Sequence, residues 1–344
     1  MIKVGILYGG KSAEHEISLL SAKNVYDAID RTKFDPVLIK IEKSGSWQMD
    51  AVSQYDAIFP ILHGPFGEDG TIQGYLKLAD IPFVGPDVLG SAAGMDKDVT
   101  KRLLRDAQIP IGKFLALKSH EQMPSFAEVA ATLSSSVTIS SGTASSGIAS
   151  NGSSDPVFIK PANMGSSVGI SKVRNEAEFA SALKTAFQFD TKVIIEEFIS
   201  GREIECAVLG NETPVASLPG EIIPAHDFYS YDAKYIDDKG ASLQIPANLD
   251  KETTKRIQET AIKVFQTLCC EGLSRVDFFL KAGSGQGGEI IVNEINTMPG
   301  FTKISMYPKM WEASGIGYTE LITRLIELAL NRFERNRQLK TSVV

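Results

Sequence analysis

No run of roughly eighteen consecutive apolar residues occurs in this 344-residue chain, so no membrane-spanning helix is expected. The apolar stretch near the start, Val4 to Tyr8 with Gly5 inside it, is far too short for the core of a secretory signal. Cysteine is scarce as well. There are three, an odd number, and Cys269 and Cys270 are adjacent, which argues against a disulfide framework. They read instead as buried small apolar groups. Positive charge is not in excess either. A net charge of −7 and a pI near 5.3 leave no basic face for general nucleic-acid binding. Any phosphate site must therefore be a local concentration of Lys and Arg. These absences point to a soluble cytoplasmic enzyme with no nucleic-acid or membrane partner. The length suits two or three domains, and 43% hydrophobic residues can fill their cores.

Along the chain, strand-like and helix-like stretches alternate, which implies α/β layering. A strand over Lys3 to Tyr8 enters Gly9-Gly10. A helix over Glu14 to Ile29, strands at Val37 to Ile41 and Ala57 to Pro60, and a helix over Thr71 to Ala79 follow. A second unit opens with a helix over Lys97 to Ala107. It continues through strands at Gly112 to Leu117, Val157 to Lys160 and Gly169 to Val173, a helix over Glu176 to Phe187 and a strand at Lys192 to Glu196. The third has strands at Glu203 to Leu209 and Val215 to Leu218 and a long helix over Lys251 to Cys270. Helices over Met306 to Ala313 and Tyr318 to Arg335 finish the chain. Leu321, Ile322, Leu325, Ile326 and Leu328 in the last fall at core spacing. One segment breaks the pattern. Residues 134–154 are so rich in serine and glycine that they cannot offset their ordering entropy, and they read as a flexible insertion.

The chemistry concentrates in Arg275-Val276-Asp277-Phe278-Phe279 and Asn293-Glu294-Ile295-Asn296-Thr297-Met298-Pro299-Gly300. Both halves read as strands with apolar residues at alternate positions. Glu294 and Asn296, two apart, leave the same face. If Asp277 pairs across the sheet, three hard oxygen ligands converge, a set suited to Mg²⁺ completed by substrate phosphates. Arg275 adds a fixed positive charge on the face that Asp277 uses.

Three glycine-rich turns accompany this pair. Gly9 to Glu14 follows the first strand and opens a helix, a geometry that points backbone N–H groups at an anion. It lacks dinucleotide-type glycine spacing. Lys160 to Gly169 joins two strands and reads either as an ordinary hairpin or as a cover for nucleotide phosphates. His63 to Gly74 follows the third strand, where ligands dock in open α/β sheets. There His63 is either structural or substrate-facing.

With these residues in hand, the chain resembles the D-alanine–D-alanine ligase family of the ATP-grasp superfamily along nearly its whole length. The resemblance is carried by Gly9 to Glu14 with His15-Glu16-Ile17-Ser18, His63 to Gly74, Lys160 with Gly165 to Gly169, and Glu196 to Glu203. It extends to Tyr231-Asp232-Ala233-Lys234-Tyr235, Arg275-Val276-Asp277 and Asn293 to Gly300. The serine-rich segment departs from the family. The resemblance implies a three-domain ATP-grasp ligase: an N-terminal Rossmann-like substrate domain (1–96), a central lid domain (97–200, with the insertion at 134–154) and a C-terminal mixed-sheet catalytic and metal domain (201–344). It also implies a homodimer. The expected reaction is ATP-dependent joining of two D-alanine molecules for peptidoglycan precursors. The rivals are a D-alanine–D-lactate ligase and another ATP-grasp carboxylate–amine ligase.

The same resemblance implies roles by position. Lys97 and Lys160 hold the α- and β-phosphates of ATP, and Ser167 and Glu197 also belong to the nucleotide site. Glu196 and the Ile199 backbone read adenine, Glu203 takes the ribose, and Phe228 packs near the base. Asp277, Glu294 and Asn296 bind two Mg²⁺ ions, for which Mn²⁺ can substitute, with Glu294 bridging. Glu14 binds the first D-alanine's ammonium, held by Ser166 and Tyr235. His63 lies near that substrate's carboxylate, and Lys234 approaches the γ-phosphate. Ser305, with the Met306 backbone, takes the second D-alanine's carboxylate, while Arg275 and the Gly300 N–H stabilise oxyanions. Ser166-Ser167 and His226 to Gly240 are the expected closing loops. Such a lid is needed because an acyl phosphate hydrolyses when wet.

Overall fold

The computed structural model describes residues 1–47, 49–134, 155–224, 241–282 and 287–340. In chain order the elements are β1 (Ile2–Gly9), α1 (His15–Ala28), β2 (Phe34–Ile41), β3 (Ala57–Ile61), α2 (Thr71–Leu78), α3 (Val88–Met95), α4 (Lys97–Asp106), β4 (Phe114–Lys118), α5 (Phe126–Ser134), β5 (Val157–Pro161), β6 (Ser171–Val173), α6 (Glu176–Ala186) and β7 (Lys192–Glu197). They continue as β8 (Arg202–Gly210), β9 (Val215–Ala216), β10 (Gly220–Pro224), β11 (Ala241–Gln244), α7 (Lys251–Thr267), β12 (Gly272–Lys281), β13 (Glu289–Asn296), α8 (Met306–Ala313) and α9 (Tyr318–Arg337). Among the described residues no helix is long and apolar enough to cross a membrane. The chain divides into two compact units, one of Met1–Ile111 with Gly201–Val344, the other of Gly112–Ser200.

The larger unit holds two sheets. The first is parallel in the order β2-β1-β3, with α1 packed against it. Strands β1 and β3 carry buried apolar residues on both faces, as strands covered on both sides require, while the edge strand β2 exposes Asp35, Leu38 and Lys40. Val4, Ile6 and Phe59 enter one core, and Leu7, Ile39 and Ile58 enter another. Ser18 of α1 pins two strand ends together: its hydroxyl accepts from Gly9 N (2.7 Å) and donates to Ile61 O (2.5 Å). The second sheet is antiparallel in the order β11-β10-β8-β12-β13, with β9 paired to β8. Along β12, Val276, Phe278 and Leu280 are buried while Arg275, Asp277 and Phe279 are only half-buried. The period-two alternation thus sends the apolar set into the core beneath α7 and the polar set to the opposite face.

The smaller unit is an antiparallel sheet in the order β4-β7-β5-β6, covered by α5 and α6 around Phe126, Val129, Phe179 and Ile195. Asn175 caps α6, its side chain accepting from Glu178 N at 3.0 Å.

Several expected boundaries move. The helix expected to reach Cys270 ends at Thr267, and Cys269 takes a left-handed conformation (φ +54°) that breaks it. The strand expected over Val215 to Leu218 shrinks to Val215–Ala216. Helix α3 and strands β10 and β11 were not anticipated. At two positions helix α3 approaches its neighbours too closely for a side chain. A Cβ on Gly90 would stand 2.7 Å from Cys269 O, and one on Gly94 2.5 Å from Thr297 Cγ2. The flexible insertion expected at 134–154 lies, from residue 135 on, outside the described residues.

Candidate active site

Three carboxylates stand in line across the second sheet. Glu205 on β8 is the register partner of Asp277 on β12, and Asp277 that of Glu294 on β13. Directly opposed residues of antiparallel strands share a face, and here the row faces away from the apolar core. A register shift between Asp277 and Phe278 lets the Arg275–Asp277 end of the ladder differ in pitch from the rest. Arg275 lies one step further along the same face. Its Nε and Nη2 donate to the two oxygens of Asp277, each at 2.7 Å, and its Nε is 2.9 Å from Glu205 Oε2. Burial opposes the charge on Arg275, but Asp277, Glu205 and Glu294 outweigh it and hold its titration well above the ordinary arginine range. Asn296 turns its amide NH₂ to Asp277 Oδ2 (3.0 Å). Lys97 Nζ is 3.8 Å from Glu294 Oε2. That lysine opens α4, whose N-cap Asp96 accepts from Asp98 N and Val99 N, both at 3.1 Å.

Asp277, Glu294 and the carbonyl oxygen of Asn296 form a hard-oxygen set that fits a divalent ion such as Mg²⁺. Among the described residues no group of three or more His, Cys, Asp or Glu forms a self-sufficient metal cage. An ion here would therefore draw further oxygens from water or a phosphate, as Mg²⁺ commonly does.

A second cluster sits at the C-terminal ends of β1 and β3. Glu14, the N-cap residue of α1, makes no side-chain bond to its helix and is 8% exposed. Ser12 Oγ donates to His63 O (2.6 Å) and accepts from Glu14 N (3.2 Å), tying the first glycine turn to the third. Gly64 lies against Glu14: a Cβ there would stand 2.8 Å from Glu14 Oε2. His63 is buried. Its Nδ1 donates to Met298 O (3.1 Å), and the Glu68 carboxylate is 3.4 Å away. Burial pushes the imidazole down, yet Glu68 and Glu14 overcome this and its net titration point is raised. Burial likewise raises Glu68, against the pull of His63. The bond to Met298 brings His63 to the end of β13.

Beyond β13, Gly300 and Ser305 belong to one turn. Ser305 Oγ accepts from Thr302 N (3.0 Å) and exchanges a bond with Thr302 Oγ1 (2.8 Å). Phe301 anchors this turn among Phe59, Tyr307 and Tyr318, whose ring centroids lie 5.6–5.8 Å away. Met306 begins α8 and is buried. Glu203, also in the larger unit, is half-buried on β8.

The smaller unit carries its own charged pair. Lys160 Nζ on β5 is 2.5 Å from Glu196 Oε2 on β7. Glu197 Oε1 accepts from Lys113 N (2.8 Å), and Ile199 is buried. Ser166 and Ser167 both adopt left-handed backbone angles (φ +51° and +60°), and the segment they occupy joins the antiparallel strands β5 and β6 as a hairpin.

Two N–H groups of the first glycine turn are engaged within the fold: Gly9 N donates to Ser18 Oγ and Gly10 N to Ile41 O. Phe228, Lys234 and Tyr235, with the closing loop expected at 226–240, lie outside the described residues. Sequence reasoning missed Glu205. Its position two residues after Glu203, on the same strand face, was the available signal. Glu68 lies inside the His63 to Gly74 turn, but nothing in the sequence marks it as the buried partner of His63.

Comparison with known proteins adds to this geometry. The family described as "D-ala D-ala ligase C-terminus" matches residues 103–327, and "D-ala D-ala ligase N-terminus" matches residues 3–55 and 48–86. The chain is 48% identical to D-alanine–D-alanine ligase A of Salmonella typhimurium, over 99% of each. It superposes on the structure of the D-alanine–D-alanine ligase from Coxiella burnetii with TM-score 0.81, at 35% identity over 98% of both chains. The Bacillus anthracis D-alanine–D-alanine ligase, solved in complex with ATP, superposes with TM-score 0.78 at 27% identity, over 98% of this chain and 100% of that one.

Proposed function

The chain belongs to the D-alanine–D-alanine ligase family, and from that membership and the site geometry we infer that it joins two molecules of D-alanine at the expense of ATP. The carrying observation is Asp277 opposite Glu294 with Arg275 bonded alongside, within the segment that matches the family's C-terminal part. The fold is the ATP-grasp fold of such ligases. A carboxylate resists attack by an amine, so one D-alanine is first phosphorylated by ATP. The second D-alanine's amine then attacks the acyl phosphate, releasing phosphate and giving D-alanyl-D-alanine, a peptidoglycan building block.

The roles of individual side chains belong to the same proposal. Asp277, Glu294 and Asn296 would hold Mg²⁺, with Mn²⁺ a substitute. Bound there, the ions would offset the negative charge gathered where phosphate and carboxylate meet. Arg275, already charged and anchored, and the Gly300 N–H would steady developing oxyanions. Glu14 would take the first substrate's ammonium near His63, and Ser305 with Met306 the second substrate's carboxylate. Lys97 and Lys160 would meet phosphates, and Ser166, Ser167, Glu196, Glu197, Ile199 and Glu203 would complete the substrate and nucleotide contacts. Phe228, Lys234 and Tyr235 join them on the strength of the family motif alone. The three-domain division at 96 and 200, a homodimer and a cytoplasmic location complete the reading.

The decisive experiment supplies ATP, Mg²⁺ and each candidate amino acid in turn, follows phosphate release, and identifies the product by mass. Phosphate release dependent on D-alanine, with a dipeptide mass, is expected. Release that needs D-lactate, or some other acceptor, would replace the substrate assignment.

A further inference from the structure

Asp277 is doubly committed. Both of its oxygens accept from Arg275, at 2.7 Å each, and Oδ2 also accepts from Asn296. The guanidinium fork holds both oxygens from one side, so a cation chelated by both oxygens on that side would displace the Arg275 bonds. The guanidinium would then lose its anchor at the moment its position matters. Glu205 is the second acid within reach of the guanidinium. It is 5% exposed, sits opposite Asp277 in the register, and places Oε2 2.9 Å from Arg275 Nε. The single Nε–H cannot point at both acids, and in this arrangement it is directed to Asp277.

We propose that Glu205 is the positioning residue of Arg275, taking over its Nε–H when Asp277 turns to a divalent cation. This rests on the ligase reading above, because the cation is part of that reading. The exchange forms one hydrogen bond as another breaks, with no net proton transfer. It lets Asp277 serve the ion without freeing the arginine. A shortened side chain at 205 should have two linked effects. Asp277 stays tied to the guanidinium and binds metal less well, and Arg275 is less well placed when metal does bind.

The test is a double-mutant cycle on Glu205 and Arg275, read by electron paramagnetic resonance of Mn²⁺ binding in the presence of ADP. Glu205→Ala should weaken Mn²⁺ binding at least threefold and lower kcat at least tenfold, with KM for ATP within twofold of wild type. In an Arg275→Met background the same substitution should leave Mn²⁺ affinity unchanged, since its only route of action is gone. Glu205→Gln keeps an acceptor oxygen and should lie between wild type and Glu205→Ala; it also serves if the alanine variant does not fold. Unchanged Mn²⁺ affinity in Glu205→Ala, or in Glu205→Gln where that variant stands in for it, would overturn the proposal. So would an effect that persists in full without Arg275. Neither result touches the ligase reading, which fails separately if the wild type binds no Mn²⁺ with nucleotide or releases no phosphate with D-alanine. A wild type that binds no Mn²⁺ would end both.

Discussion

His63 and Glu68 form a buried pair, imidazole Nδ1 3.4 Å from carboxylate Oε1, at the end of β3 where the His63 to Gly74 turn meets Met298. Both titration points are raised, His63 because Glu68 and Glu14 outweigh its burial, Glu68 because burial outweighs its histidine. A raised folded-state value gives stability that is fully present below the unfolded value and lost as pH rises through the folded one. For His63 that loss begins above its ordinary value of 6.5. The thermal midpoint should therefore fall as pH rises from about 6 to 9, each unit of displacement being worth about 1.4 kcal/mol. In Glu68→Gln the carboxylate support is gone and burial regains weight, so the decline should be shallower. Parallel pH profiles for wild type and variant would contradict this.

Glu294→Gln should abolish turnover while leaving the fold intact. The side chain is 27% exposed and lies beside Lys97 and opposite Asp277, on the polar face of the sheet and away from its apolar core. An amide of the same shape removes the negative charge that the proposed metal site needs. A far-ultraviolet spectrum and melting point near wild type are expected, with phosphate release below a tenth of wild type at saturating Mg²⁺. A variant that keeps more than a tenth would detach Glu294 from the chemistry.

How much of this was legible beforehand depends on what each element leans on. The strands β12 and β13 carry their polar face in a period-two pattern, so Asp277, Glu294 and Asn296 could be placed on strands from sequence. That Asp277 meets Glu294 depends on a register shift one residue away, which no local pattern encodes. Helix α3 was hidden because its positions are filled by Gly, Ala and Ser for closeness of approach, not for amphipathic period. Strands β10 and β11 are short and gain their order from the sheet edge they extend. Glu205 was missed although it shares a strand face with Glu203, because its partner Asp277 comes from the neighbouring strand. In the first glycine turn, the motif did not reveal that the Gly9 and Gly10 N–H groups are engaged by Ser18 and Ile41, because both bonds are long-range.

Ser18→Ala should destabilise the larger unit without touching the chemistry directly. The hydroxyl is fully buried and satisfies Gly9 N and Ile61 O at once. Its loss leaves a buried donor and a buried acceptor each short of a partner, at about 1–3 kcal/mol. Denaturant titration should show an earlier unfolding midpoint with an unchanged slope. An unchanged midpoint would mean that water or a neighbour takes over both bonds.

Gly64→Ala separates backbone strain from crowding at Glu14. Gly64 has φ +72°, a conformation that costs an alanine about 1–2 kcal/mol wherever it occurs. Its added methyl would also stand 2.8 Å from Glu14 Oε2, close enough that the carboxylate must move. Gly315 provides the control, since it has φ +91° but nothing within 4 Å of where an added methyl would stand. Gly64→Ala and Gly315→Ala should therefore lose comparable stability in thermal unfolding. They should differ in kinetics. If Glu14 receives the ammonium of the first D-alanine, Gly64→Ala raises the D-alanine concentration needed for half-maximal rate by at least tenfold, and Gly315→Ala leaves it within twofold. Equal kinetics in the two variants would mean that the position of the Glu14 carboxylate is immaterial to substrate binding, and its assignment would fall.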